Sequence, residues 1–126
     1  MVDSVPKALD ARHILVVEDD YTIASNLAKS LEKLGASIVG PASSVANAMQ
    51  LIEGGAKLDA AVLDIHLGAE KVFPVAEALL ARGVPFVFTT GYSQASIPNA
   101  FAEQDLCEKP IDTRALARLL SARLDN

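Results

Sequence analysis

Asp64 ends a short aliphatic run, Ala60-Ala61-Val62-Leu63, and a carboxylate in that position could do chemistry. A run this short, set between Gly54-Gly55 and Gly68, reads as a strand buried on both faces. Parallel strands of an open α/β sheet present their carboxyl ends to the functional crevice, which puts Asp64 at the sheet's rim. Other strand-like runs end on polar groups too. His13-Ile14-Leu15-Val16-Val17 leads into Glu18-Asp19-Asp20, Pro85-Phe86-Val87-Phe88-Thr89 into Thr90, and Asp105-Leu106-Cys107-Glu108 into Lys109. Carboxylates gathered there repel, by about 4 kcal/mol for a pair ~4 Å apart at an effective dielectric of about 20. A hard divalent cation relieves that repulsion, and Mg²⁺ suits a site of one or two carboxylates plus a phosphate. The same edge can run phosphoryl transfer. Asp64 would attack, Mg²⁺ and the Lys109 ammonium would neutralise charge, and the Thr90 hydroxyl would hydrogen-bond a phosphoryl oxygen.

The elements that must place these groups follow from periodicity. Residues 1 to about 12 lack a pattern and contain Pro6, so they read as a loose N-terminal extension, with the domain running from 13 to 126. Ile23, Ala24, Leu27, Leu31 and Leu34 recur at helical spacing and Gly35 stops that helix. Ser37-Ile38-Val39-Gly40 reads as a brief strand ended by Pro41, followed by a helix capped by Ser43 or Ser44 and closed at Gly54-Gly55. A loop through Gly68 leads to a helix over about 71–82. Pro98 limits the stretch from Gly91 to Ala102 to one short or irregular helical turn. Asp105–Glu108 suits an edge strand, and Asp112 caps a last helix whose inner face carries Ala115, Leu116, Leu119, Leu120 and Leu124. Five alternating strand and helix units predict a doubly wound, five-stranded parallel sheet with five helices, joined by right-handed crossovers.

Composition narrows the function classes. With 126 residues, 51% of them hydrophobic, the chain can build one domain with a core, and no second domain is available as an output. No apolar run reaches the roughly 20 residues of a membrane span. The start, Met1-Val2-Asp3-Ser4-Val5-Pro6-Lys7, lacks a signal core, and the single Cys107 forms no internal disulfide, so a cytoplasmic protein is expected. A net charge of −5 argues against nucleic-acid binding and leaves proteins, small molecules and metal ions.

Taken singly, each site residue has a plainer reading. Glu18-Asp19-Asp20 could be a solvated helix N-terminus. Asp64 could be a loop carboxylate, Thr90 a strand end, and Lys109 a solvated cation. His13 reads as structural, and Cys107 as a core or edge residue. Five such groups, Glu18, Asp19, Asp64, Thr90 and Lys109, each at a strand's end, favour the joint reading.

Val17-Glu18-Asp19-Asp20, Leu63-Asp64, Thr90-Gly91 and Lys109-Pro110 together resemble the receiver domain of bacterial two-component response regulators. The likeness covers nearly all of the chain past the first dozen residues and implies a flavodoxin-like, CheY-like fold. It implies Glu18 and Asp19 as the acidic metal pocket, Asp64 as phosphoacceptor, Thr90 as switch hydroxyl and Lys109 as phosphate-sensing lysine. The His66 backbone carbonyl would be a further metal ligand, and the Lys109-Pro110 bond would be cis. Pro85–Tyr92 is similar to the signature of the FAT GUY receivers. Two departures stand out: Gly68 where receivers usually carry Pro, and Leu106 where the fifth strand usually carries an aromatic switch residue. Tyr92 is a candidate substitute.

The implied function is acceptance of a phosphoryl group from a histidine kinase or histidine phosphotransfer protein, with output through a downstream protein partner contacting the last helix and the segment around Pro98. A monomer is expected. The same features would suit a receiver cut from a hybrid histidine kinase. An aspartyl-phosphate phosphohydrolase of the haloacid dehalogenase type is a distant alternative. It would need a second Asp where His66 stands, and a cap domain.

Overall fold

Five parallel strands, in the order β2-β1-β3-β6-β7, form the sheet of the computed structural model, which describes residues 8–91 and 97–125. The strands are β1 (His13–Val17), β2 (Ser37–Ala42), β3 (Ala60–Asp64), β6 (Phe86–Thr90) and β7 (Asp105–Glu108). A two-stranded hairpin, β4 (His66–Leu67) and β5 (Glu70–Lys71), follows the central strand. The helices are α1 (Tyr21–Lys33), α2 (Val45–Glu53), α3 (Phe73–Ala81) and α4 (Thr113–Leu124), with a 3-10 turn at Asn99–Phe101.

The continuous apolar runs of β1, β3 and β6 follow from burial on both faces. Alternate residues enter two separate cores. Leu15, Val17, Leu63 and Phe88 pack with Ile52, Val75 and Leu79, whereas Ile14, Val16, Val62 and Val87 pack with Leu27, Leu31, Leu116 and Leu120. Each core buries one face of the sheet, and together they fix every strand's register.

Four details differ from the sequence expectation. Four α-helices are present among the described residues, not five. Among the described residues, the helical part of the fourth unit is the 3-10 turn, which Pro98 precedes in an extended conformation (φ −57°, ψ 149°). Pro41 does not end β2. That strand pairs only with β1, so an edge position without a donor is tolerated, and the register slips across Leu15–Val17 opposite the cis Gly40–Pro41 bond. The end of the supposed loose extension is packed: Leu9 is fully buried, its amide donates to the Leu34 carbonyl at 3.1 Å, and the Ala11 amide donates to that of Gly35 at 3.1 Å. Finally, the buried face of α4 is Leu116, Ala117 and Leu120, with Leu119 and Leu124 half-buried.

Candidate acidic phosphoryl-transfer site

The carboxyl edge of the sheet gathers the acids. Val17 pairs with Leu63 and Asp64 with Thr89, so Glu18 and Asp64 emerge side by side from neighbouring strands. Carboxylate oxygens of Glu18, Asp19 and Asp64 lie within 4.8 Å of one another. Glu18 (4% exposed) and Asp64 (3% exposed) are buried, and Asp19 is open to solvent.

Lys109 reaches into this edge from the end of β7. Its Nζ lies 2.8 Å from Glu18 Oε1 and 3.1 Å from Asp64 Oδ2. The Lys109 amide donates to the Thr90 carbonyl at 2.8 Å, and the Lys109–Pro110 bond is cis. Burial pushes the Glu18 carboxyl up from 4.5 to about 7, and Asp64's neighbouring charge adds to that rise. The Lys109 ammonium and the Asp20 amide oppose it. Burial alone would lower the Lys109 pKa. Its bonds to Glu18 and Asp64 outweigh that and hold the ammonium above its ordinary value.

The loop after Asp64 is ordered by the hairpin. The His66 amide donates to Asp64 Oδ1 at 3.3 Å, and the Val72 amide to the Ile65 carbonyl at 3.0 Å. Gly68 begins the two-residue turn at φ +63°, as a tight hairpin requires and as the Pro usual at this position could not adopt.

Thr90 is fully buried, one residue beyond the partner of Asp64 and opposite Glu108 of β7. It shares a face of β6 with Phe88, which packs edge-on against Phe73 and Phe101 at centroid distances of 5.8 and 5.9 Å. Leu106 pairs with Phe88 and is 37% exposed. Tyr92 lies outside the described residues. Cys107 faces the α1–α4 core, where burial first and Asp105 second push its thiol up.

Asp20, the third acid of the run, does a different job from its neighbours. It is the N-cap of α1, with Oδ1 accepting from the Ile23 amide at 3.0 Å, and its own amide donates to Glu18 Oε2 at 3.0 Å. Sequence reasoning assigned it no separate role. The signal was there in its place one residue before the first helical position.

Known proteins share this fold. SdrG from Sphingomonas melonis Fr1, in a solution structure, is 43% identical and superposes with a TM-score of 0.78 over 90% of this chain and 97% of its own. A response regulator receiver domain protein (CheY-like) from Methanospirillum hungatei JF-1 is 27% identical, with a TM-score of 0.75 over 92% of this chain and 95% of its own. Among curated proteins, the transcriptional regulatory protein PdtaR of Mycobacterium tuberculosis is 29% identical over 110 residues, 86% of this chain. The chain spans about half (49%) of that relative's length. No protein-family model matches the sequence. The fold, the acidic edge and these likenesses make this chain a member of the response regulator receiver (CheY-like) family of two-component systems.

Proposed function

We propose that the chain accepts a phosphoryl group on Asp64 from the phosphohistidine of a kinase or histidine phosphotransfer protein, in a Mg²⁺-dependent reaction. The observation that carries this reading is the Lys109 ammonium shared between two buried carboxylates, 2.8 and 3.1 Å away. An isolated buried carboxylate pair is costly, and one lysine leaves the three-acid cluster net negative. The donor set fits a hard cation: all oxygen, closely spaced, with Asp19 open to solvent.

Glu18, Asp19 and Asp64 would hold the ion, with the His66 carbonyl as a further ligand. Strand pairing supports that last assignment. Ile65 and Val72 form a bonded pair, so His66 and Lys71 are the alternate, non-bonded pair, whose backbone groups face away from the partner strand. The His66 amide already points at Asp64. When bound, Mg²⁺ neutralises charge on the phosphoryl oxygens and the carboxylates.

In the transfer, an Asp64 carboxylate oxygen forms the new O–P bond as the P–N bond to the donor imidazole breaks, and that bond's electron pair stays on the imidazole nitrogen. Lys109 then turns from the carboxylates toward the new phosphoryl charge. Thr90 donates its hydroxyl to a phosphoryl oxygen. With Leu106 in the aromatic switch position, Tyr92 is proposed as the substitute for that aromatic. A Tyr92→Ala protein that responds normally to phosphorylation removes that assignment. Output is by contact with a downstream protein or by onward phosphate flow, in the cytoplasm. SdrG, for which a BeF3-activated conformation is known, supports an acyl-phosphate-like state here by likeness.

The test is incubation with a small phosphodonor, with and without Mg²⁺, read by intact mass. A metal-dependent phosphoryl adduct that disappears in Asp64→Asn is expected. Equal adduct in the substituted protein overturns the reading.

A further inference from the structure

We propose that Asp20 is a positioning residue for the acidic edge: by capping α1 it fixes its own amide on Glu18, and so presets Glu18 for a cation. This rests on the acidic edge binding Mg²⁺, as proposed above.

The bland expectation for a third consecutive acid is one more ligand or one more solvated charge. The geometry points elsewhere. The clustered oxygens belong to Glu18, Asp19 and Asp64, whereas Asp20 Oδ1 is taken by the Ile23 amide at 3.0 Å. Asp20 is extended (φ −82°, ψ 117°), and its carbonyl accepts from the Ala24 amide at 2.9 Å, so side chain and backbone together pin the first turn. That turn contains no other acidic residue.

Glu18 has two oxygens and two kinds of donor. Oε1 meets Lys109 Nζ, a positive charge at the end of a flexible stem. Oε2 meets the Asp20 amide at 3.0 Å, a donor whose direction is set by the helix cap. An arriving cation repels the ammonium but leaves the amide in place. The amide is therefore the contact that can hold the Glu18 carboxylate in one rotamer through cation binding. Without the Asp20 side chain the Ile23 amide loses its partner, the first turn frays, and Glu18 loses its fixed donor.

The test is Mg²⁺ titration by isothermal calorimetry, well below the unfolding temperature. It compares the unaltered chain with Asp20→Asn, Asp20→Ala and Lys29→Gly. Asn keeps the cap acceptor but not the charge, and Lys29→Gly weakens α1 at an exposed mid-helix position away from the cap. The expected result is affinity within about twofold for Asp20→Asn and Lys29→Gly, and a loss of about tenfold for Asp20→Ala, in the range for residues that orient metal ligands. Asp20→Ala binding as tightly as the unaltered chain overturns the proposal. So does Asp20→Asn losing as much as Asp20→Ala, the mark of a ligand or charge role, or Lys29→Gly losing as much, the mark of general helix stability. Failure of the unaltered chain to bind Mg²⁺ overturns the acidic-site reading along with it. Binding by the unaltered chain with any of the other failures overturns only the role of Asp20.

Discussion

Without a metal ion, the protein becomes less stable between pH 5 and pH 8, and Glu18 is the cause. Its carboxyl titrates near 4.5 in an ordinary setting and at about 7 in the fold, because burial beside Asp64 disfavours its charge. Below pH 4.5 both folded and unfolded chains hold the proton and nothing is lost. Between the two values the unfolded chain has released it and the folded chain has not, so stability falls by up to about 1.4 kcal/mol for each pH unit. At about pH 7 half of the folded chains still hold the proton, and the loss is complete by about pH 8. The whole span is worth about 3 kcal/mol, an appreciable part of the 5–15 kcal/mol typical of a domain. The other shifted groups act outside this window. Asp59 is depressed from 3.8 and acts in acid, while Cys107 and Lys109 are raised from 9.0 and 10.5 and act in base.

The assay is urea unfolding at fixed temperature across that pH range with a chelator present. Glu18→Gln should flatten the curve, and saturating Mg²⁺ at pH 8 should restore stability to the unaltered chain but much less to the variant. The same slope in Glu18→Gln, or stability that rises toward pH 8, would refute the reasoning.

Three further outcomes test the frame that carries the site. Asp59 Oδ2 accepts from the His13 amide at 2.7 Å, clamping the start of β3 to the start of β1, so Asp59→Ala should cost about 1 kcal/mol at pH 7. The Asp59 carboxyl is depressed chiefly by that amide, so its contribution is complete above about pH 4 and lost on acidification. The gap between variant and unaltered chain in urea unfolding should therefore close toward pH 2. Leu9→Ala should cost about 3 kcal/mol by the same measurement, since Leu9 is fully buried against the α1–α4 core. Gly68→Pro should destabilise by more than about 1 kcal/mol and weaken Mg²⁺ binding measured by calorimetry, because proline cannot reach φ +63° and the hairpin that aims His66 would open. A stable Gly68→Pro chain with unchanged affinity would count against the hairpin's part.

The readable parts of this fold are those in which one chemical pattern decides the structure. β1, β3 and β6 are apolar through their middles because both faces are covered, and the polar groups at or just past their ends mark the edge that Glu18, Asp64 and Thr90 share. Nothing in those runs depends on knowing the neighbour. The misread parts are decided by a partner instead. Pro41 ends a strand only if something must pair on its far side, and at the edge nothing does. Leu9 looks like a stray apolar residue in a tail until the end of α1 offers it a buried place beside Leu34 and Gly35. The two-residue strands after Asp64 are too short to show a period, yet the Ile65–Val72 bond and the left-handed Gly68 make them a fixed turn. The same division runs through the acidic triplet. Glu18, Asp19 and Asp20 all read from their types as candidate cation ligands, yet Asp20 caps α1 and lies outside the oxygen cluster. The difference lies only in where α1 begins, so a carboxylate count can propose the site but only the helix boundary can divide the work within it.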